Sequence, residues 1–426
     1  NNSTNASTGV RTLIIEGGEF WHIAGGVDYS NSNNVVNLKF RMKGGTVHGS
    51  IYGGAARYDA HGGKQFVFTG GTIEGWIAGG SNGFLSEGSG NDNGTTQGNS
   101  YVYVGGTTQV NSGGSTTAIN VSLGGNVYGA GCGNEDVDVS GRVTLGTNVV
   151  VADESYVERG VYGGGAYGGS PATANVYITG NAHVGGVADA TFNVQGGVYG
   201  GARAKGGGST NIYMTGGLIE TGLYGGSNRT GTLTGSANLI INGGQVGTTS
   251  QTANIHGGGY GQSTAVSGNV EITLGTSGQT TDGVTVYGDI YGGSALGHVN
   301  GTAATNTYHT YVTLNKGTIN GSLYGGALGD ASNAANVYGP VRVTVNGGSV
   351  KTTDGTGNNG SGGVYGCNNI SGAPQSTVDV IINRTDPAPS ESEYALFAVY
   401  GGGNQANYAA GTPTVTVNNC DNSIEY

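Results

Sequence analysis

The side chains of this 426-residue chain best suited to chemistry are its seven histidines, three cysteines and 26 acidic residues. Nucleophilic catalysis needs a nucleophile, a base and an orienting group brought together. His22, His48, His61, His183, His256, His298 and His309 are scattered, with no i,i+4 or His-x-His pair. His22, His48 and His256 occupy repeat positions that other copies fill with Tyr, Trp or Glu, so all seven read as ordinary strand-face residues. Polysaccharide cleavage would need clustered carboxylates, with Ca2+ or a raised pKa on one of them. The candidates are Glu135-Asp136 with Asp138, Asp153-Glu154 with Glu158, and Glu391 with Glu393. All fall in loop-like insertions and none recurs in the adjacent copy, so solvated loop charge is expected, with calcium binding as an alternative. Cys132, Cys367 and Cys420 have no zinc-ligand spacing. Cys132 and Cys367 each follow a Tyr-Gly turn, several copies apart and out of disulfide reach, and free buried thiols are expected. No catalytic residue, metal or cofactor is assigned, and Gly-x-Gly matches mean little in a chain with 91 glycines.

The tyrosines are the most regular chemical feature. Tyr52, Tyr128, Tyr162, Tyr199, Tyr224, Tyr291, Tyr324, Tyr365 and Tyr400 each stand just before a glycine. Two readings are open: mutual packing that stiffens the stack, or an aromatic strip that binds sugar rings or a partner surface. Tyr103, Tyr177 and Tyr213 form a second, outward set. Outward threonines at 144, 273, 313, 344 and 416 invite an ice-binding reading, but Tyr103, Tyr177, Ile240 and Ile381 at matching positions make that array too irregular.

These residues must be positioned by a repeat. Its clearest copy runs Tyr311-Val312-Thr313-Leu314-Asn315-Lys316-Gly317-Thr318-Ile319-Asn320-Gly321-Ser322-Leu323-Tyr324-Gly325-Gly326. Related copies are Gly44-Gly45-Thr46-Val47-His48-Gly49-Ser50-Ile51-Tyr52-Gly53-Gly54 and Gly71-Thr72-Ile73-Glu74-Gly75-Trp76-Ile77-Ala78-Gly79-Gly80. From Gly25 to Gly401 the closing glycine, or a degenerate form of the doublet, returns at a mean of about 34 residues, with scatter that belongs to loops. Period-2 alternation puts Val312 and Leu314 on one face and Thr313 on the other. Each Gly-Gly is expected to turn a corner through a left-handed φ, Gly292 and Gly325 among them. Just before the mid-unit doublet stand Asn242, Asn315, Asn346, Asn383 and Asn418, or Thr69, Thr179 and Thr215. We expect a ladder of amides there, because Asn tolerates the left-handed region and can bond to the next copy.

The fold expected is all-β: a single parallel β-helix (β-solenoid) of about 12 rungs with variable loops, near 55 Å long at about 4.8 Å per rung. Residues 1–9 read as a flexible leader and 10–426 as solenoid, with the final rung incomplete. The unit Gly-Gly-x-Ile-x-Gly-x-Val-Tyr-Gly-Gly resembles the glycine-rich repeats of adhesin-like surface proteins of gut-type bacteria. These are similar in architecture to the right-handed parallel β-helices of pectate lyases, autotransporter passengers and phage tailspikes. The resemblance implies a secreted or cell-surface location and no catalytic motif. A net charge of −11, with only 15 Lys and Arg, argues against nucleic acid as partner. No stretch approaches the roughly 20 apolar residues of a membrane helix. A non-enzymatic structural or adhesive solenoid is therefore expected, with a carbohydrate-binding or carbohydrate-cleaving β-helix as the alternative, its site in the insertions 81–100 or 351–363. Expected partners are further copies or neighbouring domains, through uncovered strands at Thr12–Ile15 and Thr414–Asn418, and a glycan or host-surface ligand.

Overall fold

Alternating apolar residues on short β-branched strands can be buried only against copies of themselves, and the chain solves this by stacking rung on rung. The computed structural model describes residues 9–26, 34–35, 37–55, 60–83, 94–113, 124–133, 141–169, 172–188, 195–279, 281–350, 362–385, 394–418 and 424. These fall in two compact units, Asn1–Thr210 and Asn211–Tyr426. Every named element is a strand, and every pairing described below is parallel. The chain is an all-β parallel β-solenoid.

In the first unit, the first sheet stacks Val10–Ile15, Asn37–Met42, Lys64–Phe68, Asn99–Val104, Gly146–Val151 and Thr173–Ile178 in unbroken register. Past a glycine corner, Glu19–Phe20, Thr46–Val47, Thr72–Ile73, Gln109–Val110, Tyr156–Val157 and His183–Val184 stack likewise. The third stack is Ile23–Ala24, Ile51–Tyr52, Ile77–Ala78, Asn126–Tyr128, Gly160–Tyr162 and Gly197–Tyr199. The second unit repeats the plan. Its first sheet runs Ala237–Val246, Val270–Leu274, Thr310–Leu314, Val341–Val345, Val378–Ile382 and Thr414–Val417. Its third stack runs Gly222–Tyr224, Asn254–His256, Ile290–Tyr291, Leu323–Tyr324, Gly363–Tyr365 and Ala398–Tyr400.

The inward columns make the core. Ile272, Val312, Val343 and Val380 lie in one column and Leu274, Leu314, Val345 and Ile382 in the next, all essentially inaccessible. The first unit places Phe40, Phe66 and Phe68 in the equivalent space, with ring centroids 5.3 to 6.2 Å apart.

Glycine serves two ends, and here the structure corrects the sequence reading. The mid-rung doublets do turn through left-handed φ, at Gly45 (94°), Gly71 (96°) and Gly244 (87°). The closing glycines Gly292 and Gly325 do not. They are required by close approach, because a Cβ on Gly292 would lie 2.2 Å from the carbonyl oxygen of Gly325 on the next rung. The amide ladder forms in the second unit. Asn346 donates to Asn315 (2.9 Å), Asn383 to Asn346 (2.9 Å) and Asn418 to Asn383 (2.7 Å). It stops at Gly275, whose carbonyl takes the Asn315 amide at 3.0 Å, so Asn242 lies outside it. None of these asparagines is left-handed: among the described residues the non-glycine positive φ values belong to Asp153 (58°) and Asn300 (65°).

Candidate functional site

The glycine-tyrosine turns bring the predicted tyrosines into register on the third stack. In the first unit Tyr128 stacks on Tyr162 at 5.1 Å and Tyr162 on Tyr199 at 5.0 Å. Ala78 stands between Tyr52 and Tyr128 in that column, and Tyr52 packs instead near Trp76, at 6.0 Å. In the second unit the column reads Tyr224, His256, Tyr291, Tyr324, Tyr365, Tyr400, with centroid separations of 4.7 to 5.1 Å. His256 fills a tyrosine position, as its place in the repeat requires. Tyr52, Tyr128, Tyr162, Tyr199, Tyr224, Tyr291 and Tyr324 are buried, and only Tyr400, at 44%, is exposed. A ring sandwiched between two others has no face left for a sugar, so this is the geometry of mutual packing.

Burial sets the electrostatics of the column. It holds His256 neutral, its pKa lowered to about 3, and pushes the Tyr224 phenol well above its ordinary value. Tyr291 is raised first by burial and then by Asp289, whose carboxylate accepts its hydroxyl at 2.8 Å. In the first unit Arg203 is buried and donates to the Tyr167 hydroxyl at 3.0 Å. Burial raises the Cys132 and Cys367 thiols, and both are free. Cys420 lies outside the described residues.

Most of the remaining candidates hold the backbone or pack on rings. His22 Nδ1 accepts the Ser50 amide at 3.0 Å and His298 Nδ1 the Asn336 amide at 3.2 Å. His183 meets Tyr156 edge-on, and His309 stacks on Tyr311 at 3.9 Å while bonding Glu271 at 2.9 Å. Asp153 accepts the Gly106 amide at 2.8 Å and the Tyr103 hydroxyl at 2.7 Å, which in that order hold its carboxyl below the usual range. Glu158 accepts the Ser112 amide. Glu135, Asp136, Asp138, Glu391, Glu393 and the insertion cores 84–93 and 351–361 lie outside the described residues. Among the described residues no group of three or more His, Cys, Asp and Glu is arranged to hold a metal.

One constellation was missed by sequence reasoning. His48 Nδ1 lies 2.8 Å from Glu74 and its Nε2 3.8 Å from Glu19, on three successive rungs. The Glu74 hydrogen bond raises the His48 pKa. Trp21, 62% exposed, sits 5.6 Å from the imidazole. The signal was present: His48 and Glu74 both follow Gly-Thr-Val or Gly-Thr-Ile, and laying the copies in register puts them side by side.

The fold and these columns define the class, a parallel β-solenoid with an internal aromatic ladder. Compared with protein-family models, curated proteins and solved structures, the chain matches none. No helix among the described residues is long and apolar enough to cross a membrane.

Proposed function

We propose that this chain is a non-enzymatic structural or adhesive solenoid of the cell exterior, presenting its outward faces and associating through strand edges with further copies or neighbouring domains. The observation that carries this is the use made of the recurring residues. The tyrosine column, the asparagine ladder and the closing glycines all join one rung to the next. Repetition therefore builds the stack. The exterior location rests on composition, with only 10% charged residues in a chain rich in Gly, Tyr, Asn and Thr.

Association is supported by two strands that have a described partner on one side only. Val10–Ile15 pairs with Asn37–Met42, and Thr414–Val417 with Val378–Ile382. Leu13 and Val415 are each 42% exposed and Val417 49%. Such edges template further pairing. Sedimentation and electron microscopy at physiological salt should show association that resists added salt, since backbone bonds and apolar contact would sustain it. A strictly monomeric particle at high concentration would overturn this part.

The Glu19–His48–Glu74 group beside Trp21 favours a second reading, a carbohydrate-cleaving solenoid. That reading predicts oligosaccharide release from polysaccharides, lost in Glu74→Gln. The leading proposal predicts no release by the unaltered chain.

A further inference from the structure

The cations of this acidic chain are unevenly placed. Arg11, Lys39, Arg41, Lys43, Arg57 and Lys64, six of its 15 Lys and Arg, fall in the first 64 residues, against Glu16, Glu19, Asp28 and Asp59 among its 26 acids. The strand Asn37–Met42 alternates exposed and buried, which turns Lys39 and Arg41 outward together. Lys43 beyond them is paired with Glu16 at 2.7 Å. Lys39 and Arg41 form no ion pair with a described residue.

Register then sets what lies beside them. The Lys39 column continues through Gln65, Tyr101, Asn148 and Asn175, and the Arg41 column through Val67, Tyr103, Val150 and Tyr177. No carboxylate stands in either. Tyr103 is held in place on this face. Its hydroxyl is fixed by Asp153, and its ring lies where a Cβ on Gly105 would come within 2.4 Å of Cε1. Asp153 reaches it from a left-handed backbone position that also takes the Gly106 amide. Strained backbone of this kind is held only where the surroundings fix it.

We infer that this face of the first unit binds an anionic polysaccharide, with its carboxylate or sulfate groups on Lys39 and Arg41 and a sugar ring against Tyr103. The inference rests on the adhesive reading and supplies its ligand class. Arg offers a planar fork to carboxylate or sulfate and Lys a point charge. Tyr103 lies two strands away, about 9–10 Å at the sheet spacing, along the direction a chain would follow across the rungs. Beside them the amide of Gln65 and the phenol of Tyr101 suit sugar hydroxyls, while Asn175 donates to Asn148 at 3.0 Å. Lys39 and Arg41, unpaired among the described residues, are too few for a nucleic acid, whose affinity comes from many phosphate contacts.

The test is affinity electrophoresis of the full chain in gels containing polygalacturonate (carboxylated), heparin (sulfated), dextran (neutral) or single-stranded DNA. Retardation is expected with polygalacturonate or heparin, whichever is retained naming the anionic group, and should weaken with salt. Lys39→Gln with Arg41→Gln should reduce it at least tenfold, and Tyr103→Ala several-fold. Lys316→Gln should leave it unchanged, and circular dichroism should report an intact fold in every variant. Retardation by neither anionic glycan, retardation indifferent to Lys39 and Arg41, or tighter retention by DNA would overturn the inference. Those outcomes leave the adhesive proposal standing, whereas oligosaccharide release from the gel polymer would contradict the proposal itself.

Discussion

His256 shows what a single residue must give up to join the column. Stacked between Tyr224 and Tyr291 and 2% exposed, its imidazole is kept neutral by burial, with its pKa lowered from 6.5 to about 3. The unfolded chain therefore binds the extra proton more readily below pH 6.5. Stability from this residue is complete above 6.5 and is lost as pH falls toward 3, by about 2 kcal/mol at pH 5. His256→Tyr restores the residue other rungs use and removes that term. Its melting temperature should fall less than the parent's between pH 7 and pH 5. Parallel pH profiles for the two proteins would contradict the assignment.

At the scale of the element, the corner glycines separate two physical demands. Gly292→Ala should destabilise by about 1–3 kcal/mol, because its Cβ meets the Gly325 carbonyl and the packed side chains of Thr310 and Val312. Denaturant unfolding checks this, and an unchanged midpoint would show that the rungs can spread at no cost. Sequence alone could not tell this use of glycine from a left-handed turn, since both select for a missing Cβ. Alternation was fully legible, as in Val312, Thr313 and Leu314, because a period of two has one structural meaning in a stacked sheet. The amide ladder was legible from Asn315 to Asn418, but its break was not, since it depends on Gly275 standing where an asparagine was needed. The tyrosine positions were legible, yet whether their faces were open or covered was a matter of packing distance. The Glu19–His48–Glu74 group escaped because the histidines were weighed by sequence spacing, whereas rung register, some 26 residues apart for His48 and Glu74, is what joins them.

Across the whole molecule, labour is divided between inward repetition and outward variety. Residues that recur from copy to copy join rungs, and residues that differ, such as Lys39, Arg41 and Tyr103, give the surface its chemistry. In a stack, stability is close to a sum of neighbour contacts, so removing one recurring ring should be felt in unfolding. Tyr324 is 3% exposed and lies 5.0 Å from Tyr291 and 4.8 Å from Tyr365. The most direct measurement is the unfolding free energy of Tyr324→Ala. A loss of about 3–5 kcal/mol is expected, as for other buried aromatic truncations. An unfolding free energy equal to the parent's would mean that the column does not hold the rungs together.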